Sequence, residues 1–331
     1  EKGSERHPAG LMGLVVMNAR TGSLPVGKLV ALMAGAMLVA APASAQERRL
    51  PLMPAAPEER PVVPFMEGWY ANGDGSVTIS FGYFNLNQDS IVAIPLGEAN
   101  SIEPERFDGM QPTVFFPGRN HGVFGVTVPA DMRDQDVWWA LTNGNGEVAK
   151  VPGRSNASSY ELDRNPRPHG SLPPLVWFED EERAATDPAG VVAERTLTTS
   201  VGQPVTLEAH VRDPSAHDPE DPQMRDGVPV NVMWVRHQGP GPVTYTRHES
   251  TPEEQSGERG AGLGVQMVPP PQGPNLIQLP DGEGTVRVNA TFPEAGEYVI
   301  RIRADNFGAR DSNPLDQCCW SNGYVRVHVT P

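Results

Sequence analysis

Glycine and proline recur roughly every 8 to 12 residues along most of this chain, and short runs of β-branched and aromatic residues stand between them. With 34 glycines and 35 prolines in 331 residues, no stretch beyond the first 45 keeps a helical hydrophobic period for two turns. Such punctuation leaves room for strands and tight turns, and favours sandwiches or barrels over helical folds. The expectation is an all-β protein of two β-sandwich-like domains.

The first 45 residues are set apart by their order. Met17 is the expected start. After it come Arg20 and Lys28, an apolar run over 29–41, and Ala43-Ser44-Ala45 before Gln46. A charged, then apolar, then small-x-small sequence is the pattern of a cleaved secretory signal. The apolar run is too short to span a bilayer comfortably. Export to the periplasm or the extracellular space follows, with no membrane anchor left after cleavage. Residues 46–59, rich in Pro, Glu and Arg, form a flexible leader.

Charge narrows the partners. The chain carries 41 acidic against 26 basic side chains, and removal of the first 45 residues takes away four basic and only two acidic ones. A net-acidic surface without basic blocks is repelled by nucleic acid and by anionic lipid. Protein or carbohydrate is the expected partner. The only cysteines, Cys318 and Cys319, are adjacent, so no disulfide framework holds the domains and burial must do so.

Within 60–178 the turn Asn72-Gly73-Asp74-Gly75 precedes a strand over 76–84 that aligns Val77, Ile79, Phe81 and Tyr83 on one face. Further strands are expected over 90–94, 113–116, 122–128, 137–142 and 147–151, with 174–178 closing the domain. Residues 179–190 read as a linker, its run Glu179-Asp180-Glu181-Glu182 being solvated. The domain at 191–331 shows seven strands, over 195–200, 203–211, 231–236, 243–247, 285–292, 297–304 and 324–330.

Three patterns make this second domain resemble the immunoglobulin-like superfamily, PKD-like relatives included. Gly202-Gln203-Pro204-Val205-Thr206-Leu207 is similar to the start of strand B. Trp234 stands where the core tryptophan of strand C would be. Glu294-Ala295-Gly296-Glu297-Tyr298 resembles the tyrosine corner before strand F. Ala209 and Ile300 occupy the positions of the inter-sheet disulfide, an apolar pair able to fill that space. The mature chain also resembles a group of uncharacterised bacterial exported proteins through Gly68-Trp69-Tyr70, Asp74-Gly75-Ser76 and Gln317-Cys318-Cys319-Trp320. That resemblance implies a shared architecture and no activity.

No nucleophile elbow, zincin motif, phosphate-binding glycine loop or C-x-x-C is present, so the sequence leans away from an enzyme. His210 and His237 fall on outward faces of different sheets. Candidate ligand-binding residues are Cys318, Cys319 and Trp320, together with Trp69 and Tyr70. Consecutive Cα atoms lie about 3.8 Å apart, below the usual disulfide span, so a Cys318–Cys319 ring would be strained and open to reduction. The readings of a ring presenting Trp320 and of two plain thiols both stand. Trp69-Tyr70 and Trp138-Trp139 each direct consecutive rings to opposite strand faces, so one of each pair is either exposed, as a platform for a sugar or a protein, or covered by a loop or the domain interface. The B–C loop over 212–229 and the F–G loop over 305–322 share one end of an immunoglobulin-like sandwich. Asp213, Asp218 and Asp221 on the first, with Asp305 and Asp311 on the second, are oxygen ligands of the kind Ca²⁺ takes; no other cofactor is expected. The resulting reading is an exported, non-catalytic binding protein whose surface is this loop end. The alternative is a periplasmic hydrolase or redox accessory with a site at the domain interface or the vicinal cysteines.

Overall fold

The computed structural model describes residues 59–162, 169–218, 220, 229–251, 273–307 and 319–331. The segment expected to be a signal peptide and most of the expected leader, with Asp221, Asp311 and Cys318, lie outside the described residues.

The first half contains β1 (Val62–Ala71), β2 (Val77–Asn85), β3 (Val92–Ala93), β4 (Asn100–Glu103), β5 (Val114–Phe115), β6 (Gly118–Val128), β7 (Val137–Thr142) and β8 (Val148–Gly153). They make two antiparallel three-stranded sheets, ordered β1-β2-β6 and β4-β7-β8, with β3 and β5 as a separate pair. The Asn72–Gly75 turn forms as the sequence implies, Gly75 taking φ +84°, which a side chain would strain. Val77, Ile79, Phe81 and Tyr83 all enter the core. Trp139 crosses the space between the two sheets and meets Phe124 edge-on at 4.9 Å and Phe81 at 6.0 Å.

The second half contains β9 (Leu175–Trp177), β10 (Val191–Val192), β11 (Leu197–Ser200), β12 (Pro204–Arg212), β13 (Val230–Gln238), β14 (Thr244–Arg247), β15 (Leu276–Leu279), β16 (Glu283–Thr291), β17 (Gly296–Asp305) and β18 (Trp320–Thr330). One sheet runs β14-β16-β12-β9. The other runs β10-β18-β17-β13-β15, with β11 also on β18. The seven strands expected from sequence are all present, and β9, β10 and β15 are added to them. In immunoglobulin lettering β12, β13, β17 and β18 are B, C, F and G. Trp234, Ala209 and Ile300 are fully buried in the core between the sheets. The tyrosine corner is made: the Tyr298 hydroxyl donates to the Glu294 carbonyl at 3.0 Å and accepts from the Gly241 N–H at 3.2 Å.

The sequence boundary needs correction at one element. The strand expected to close the first domain is β9, and it pairs with β12 of the second, Val176 opposite Val211. Val176 belongs to the second core. The segment read as a linker is tied down as well, although its acidic run over 179–182 is exposed, as expected. Ala185 and Val176 exchange backbone hydrogen bonds at 2.8 and 3.1 Å. Glu181 pairs with Arg212, and Glu179 accepts from the N–H groups of Glu194 and Arg195. Both sandwiches belong to one compact unit, Pro57–Pro331.

Candidate functional site

Two β-bulges bring the sandwiches together. In β6 the pairing with β2 slips between Phe124 and Asn120, so residues 121–123 leave the ladder. In β13 the pairing with β17 slips between Arg236 and Gln238, so His237 stands out of alternation. A bulge bends its strand and re-aims the extra residue. Here one bulge turns carbonyls toward the second sandwich, and at the other a histidine faces the Met110 carbonyl of the first.

The seam that results has a consistent chemistry: side chains of the second half hold main-chain carbonyls of the first. Arg301 donates through Nη1 to the carbonyls of Val123 at 2.8 Å and Gly122 at 3.3 Å. Asn322 donates to Gly122 O at 2.7 Å and, in the connecting segment, to Pro188 O at 3.0 Å. Gln238 reaches the carbonyls of Gly109 and Gln111 at 2.8 and 2.7 Å. His237 Nε2 lies 2.7 Å from Met110 O, and the His237 carbonyl accepts from the Thr113 N–H at 3.0 Å. Since that nitrogen faces a carbonyl, it carries the proton. Burial, reinforced by the Arg301 charge, pushes the His237 pKa down to about 3, so the ring is neutral. Burial likewise lowers the pKa of Arg301 and raises that of Tyr324, whose hydroxyl also faces Val123 O. His237 does point away from its own core, as its register implied. It is nonetheless buried, because the first sandwich covers it.

On the β6 side the seam holds Glu67, with no exposed side-chain surface. Its carboxylate accepts from the Gly122 N–H at 2.6 Å and the Ser80 hydroxyl at 2.8 Å, and lies 3.0 Å from His121 Nδ1. A serine, a carboxylate and a histidine are thus in one chain of contacts. The order is wrong for nucleophilic catalysis, because Ser80 is fully buried and donates to the carboxylate rather than to the imidazole.

The sequence-derived aromatic sites are mostly core. Trp69 and Tyr70 are both buried, and the Trp69 indole donates to Ala157 O at 3.1 Å. Consecutive rings are both covered because the segment carrying Glu161 and Leu162 lies against β1 beside Trp69. Trp138 keeps a half-buried ring with Lys150 and Arg154 over it at 5.0 and 5.8 Å, while Trp139 is core. Trp320 is not presented to solvent either: it is 2% exposed and packs on Gly122. Cys319 is fully buried and disulfide-bonded; Cys318, the only other cysteine in the sequence, lies outside the described residues.

The loop end of the second sandwich does draw its segments together. Asn306 at the start of the F–G loop donates to Leu172 O at 2.8 Å, and the Leu172 N–H donates to Ser215 Oγ of the B–C loop at 2.9 Å. The carboxylates there have protein partners. Asp213 accepts from the Ser215 N–H and hydroxyl, Asp218 from the Glu220 N–H, and Asp305 lies 3.1 Å from Arg303. Among the described residues no three His, Cys, Asp or Glu side chains are grouped to hold a metal ion, and no helix there is long and apolar enough to cross a membrane.

A third feature was not foreseen. A groove of about 590 Å³ lies between the β1–β2 turn and the connecting segment, lined by Asn72, Asp74, Thr78, Thr127, Thr186 and Asp187 among others. Sequence reasoning named the domain interface only as an alternative and did not place the residues of the seam or the groove, because Ser80 and Gly125 merely alternate with core residues and Asn322 fell in the expected F–G loop. Gly122 and Gly125 inside an expected strand were the available signal, since such a glycine marks a bulge or a close approach.

No protein-family model matches the chain, and no curated protein does. Solved structures with some similarity include the D0-D1 domain of intimin (10% identity, 81% of this chain and 100% of that one, TM-score 0.23). Others are a protein of unknown function from Porphyromonas gingivalis (11%, 81% and 98%, 0.24) and the sialic acid binding region of a Streptococcus sanguinis adhesin (9%, 83% and 78%, 0.19). Superpositions of this quality do not transfer a ligand, and the functional reading rests on the geometry of the chain itself.

Proposed function

We propose that this chain is an exported, non-catalytic binding module in which two β-sandwiches act as one rigid body and present the B–C and F–G loop end to a partner. The observation that supports it most is the state of the seam. The titratable side chains of the seam, Glu67, His121, His237, Arg301 and Tyr324, are engaged in structural contacts, and its serine is sealed from solvent. An active site needs a nucleophile or base within reach of a substrate. The loop end has the opposite character. Its three segments are cross-linked at the base by Asn306, Leu172 and Ser215, which holds the loops on a fixed scaffold.

The reading is tested by measuring binding and turnover on the same sample. Purified protein is passed over immobilised polysaccharides and purified envelope proteins, and is assayed in parallel with ester, glycoside and peptide substrates. Saturable binding without turnover is the expected result. Turnover that disappears in His121→Asn or His237→Asn would overturn the proposal in favour of a hydrolase.

A further inference from the structure

The groove beside the seam is walled by both the first sandwich and the connecting segment, and its chemistry is specific. On one wall Asn72 Nδ2 donates to Ser76 Oγ at 2.8 Å and to Thr78 Oγ1 at 3.1 Å, and Thr78 Oγ1 lies 3.2 Å from the hydroxyl of Thr127. Thr127 is exposed at the end of this line. Rotating hydroxyls in series can donate or accept at their open end. Asp74 closes the turn, accepting from the Ser76 N–H at 3.0 Å and its hydroxyl at 2.7 Å.

The facing wall is equally fixed. Asp187 Oδ1 accepts from the N–H groups of Ala189 and Gly190, and the Asp187 carbonyl accepts from the Asn322 N–H at 3.2 Å. Gly125 lets the segment come this close: a Cβ there would stand 2.6 Å from Ala189 N. The two walls are therefore held at a set spacing, and the volume of about 590 Å³ is within the usual range for a small-molecule site.

The lining selects a ligand class. No aromatic or long aliphatic side chain is among the lining residues, which disfavours an apolar guest. Asp74 and Asp187 repel anions, and the nearby cation Arg183 is paired with Glu194. Oδ1 of each carboxylate already receives two N–H or O–H donors, and among the described residues no third His, Cys, Asp or Glu joins them to hold a metal ion. What fits is a neutral molecule whose own hydroxyls donate and accept side by side. We infer that this groove is a second binding site, taking a neutral mono- or oligosaccharide between the Asn72–Thr78–Thr127 line and the Thr186–Asp187 wall. The inference adds a site to the binding reading above and rests on it only in assigning no turnover.

The test is an NMR titration of the full chain with neutral gluco-, galacto- and manno-oligosaccharides, a uronic-acid oligomer and a glucosamine oligomer. At least one neutral sugar is expected to shift the amide signals of Thr127 and Thr186. Thr127→Val and Thr186→Val, each near-isosteric, should weaken that sugar at least ten-fold without moving the melting temperature. Glu98→Gln, at an exposed residue outside the groove and away from the loop end, should leave the affinity unchanged. Tighter binding of the uronic-acid or glucosamine oligomer overturns the ligand class, and silence from every sugar overturns the site. Neutral-sugar binding indifferent to both valine variants places the site elsewhere and overturns the inference, while leaving the binding-module reading intact. Hydrolysis of any sugar overturns that reading as well.

Discussion

Gly122 of β6 lies directly under the indole of Trp320 of β18: a Cβ at this glycine would stand 1.9 Å from Nε1. The glycine also has φ +50°, a region that side chains enter reluctantly. Contact and conformation both require the missing side chain. Gly122→Ala should destabilise the protein by about 2–4 kcal/mol, combining overpacking with backbone strain. Urea denaturation followed by tryptophan fluorescence checks the value, and a split into two transitions would show that the seam opens first.

Acid should weaken the same seam. Neutral His237 has a folded-state pKa of about 3, against 6.5 for the exposed ring. Between those values the unfolded chain binds a proton that the folded chain does not, so stability falls as pH drops from 6.5 toward 3 and this contribution is level above 6.5. The loss is on the order of a few kcal/mol. Stability against pH, measured for wild type and for His237→Gln, should show a shallower slope in the variant across that window.

Arg301→Met tests the donor side of the seam. The variant keeps much of the side-chain bulk and leaves the carbonyls of Gly122 and Val123 without the donor that Arg301 supplies. Each carbonyl keeps one other donor, Asn322 Nδ2 and the Tyr324 hydroxyl, so only the charge-assisted bonds are lost and a loss of about 1–3 kcal/mol is expected. Hydrogen exchange should rise in β6 and β18 together.

Tyr298→Phe removes a hydroxyl with two partners, Glu294 O and Gly241 N. A loss of about 1–3 kcal/mol is expected, read from the denaturation midpoint with an unchanged slope.

Thiol chemistry gives a further check. No cysteine is free among the described residues, and Cys319 is disulfide-bonded. Alkylation of the native or denatured protein should add no label without reductant and two labels after reduction, seen as a change in intact mass.

The sequence showed the strands where alternation is local. Val77, Ile79, Phe81 and Tyr83 in β2, and Trp234 and Tyr298 in the second sandwich, lie where their pattern put them. It did not show what depends on distant pairing. A three-residue strand such as β9 carries too little pattern to reveal which sheet it joins. His237, outward as expected and yet buried, and Trp69, buried together with Tyr70, show the limit: strand parity gives the direction of a side chain, while burial depends on what arrives from elsewhere to cover it. Of the candidate site, the convergence of the B–C and F–G segments was legible from the immunoglobulin-like order. The groove was not, because Thr127 and Thr186 acquire meaning only when two separate segments stand opposite each other.

The parallel pairing of β11 with β18 has a mechanical consequence. Leu197 to Ser200 run beside Val327 to Thr330 in the same direction, so the start and the end of this sandwich point oppositely along one ladder when the chain is pulled. Tension between the first sandwich and the C-terminus would slide these strands past each other. Their hydrogen bonds then carry the load together in shear, rather than parting one at a time as in a zipper.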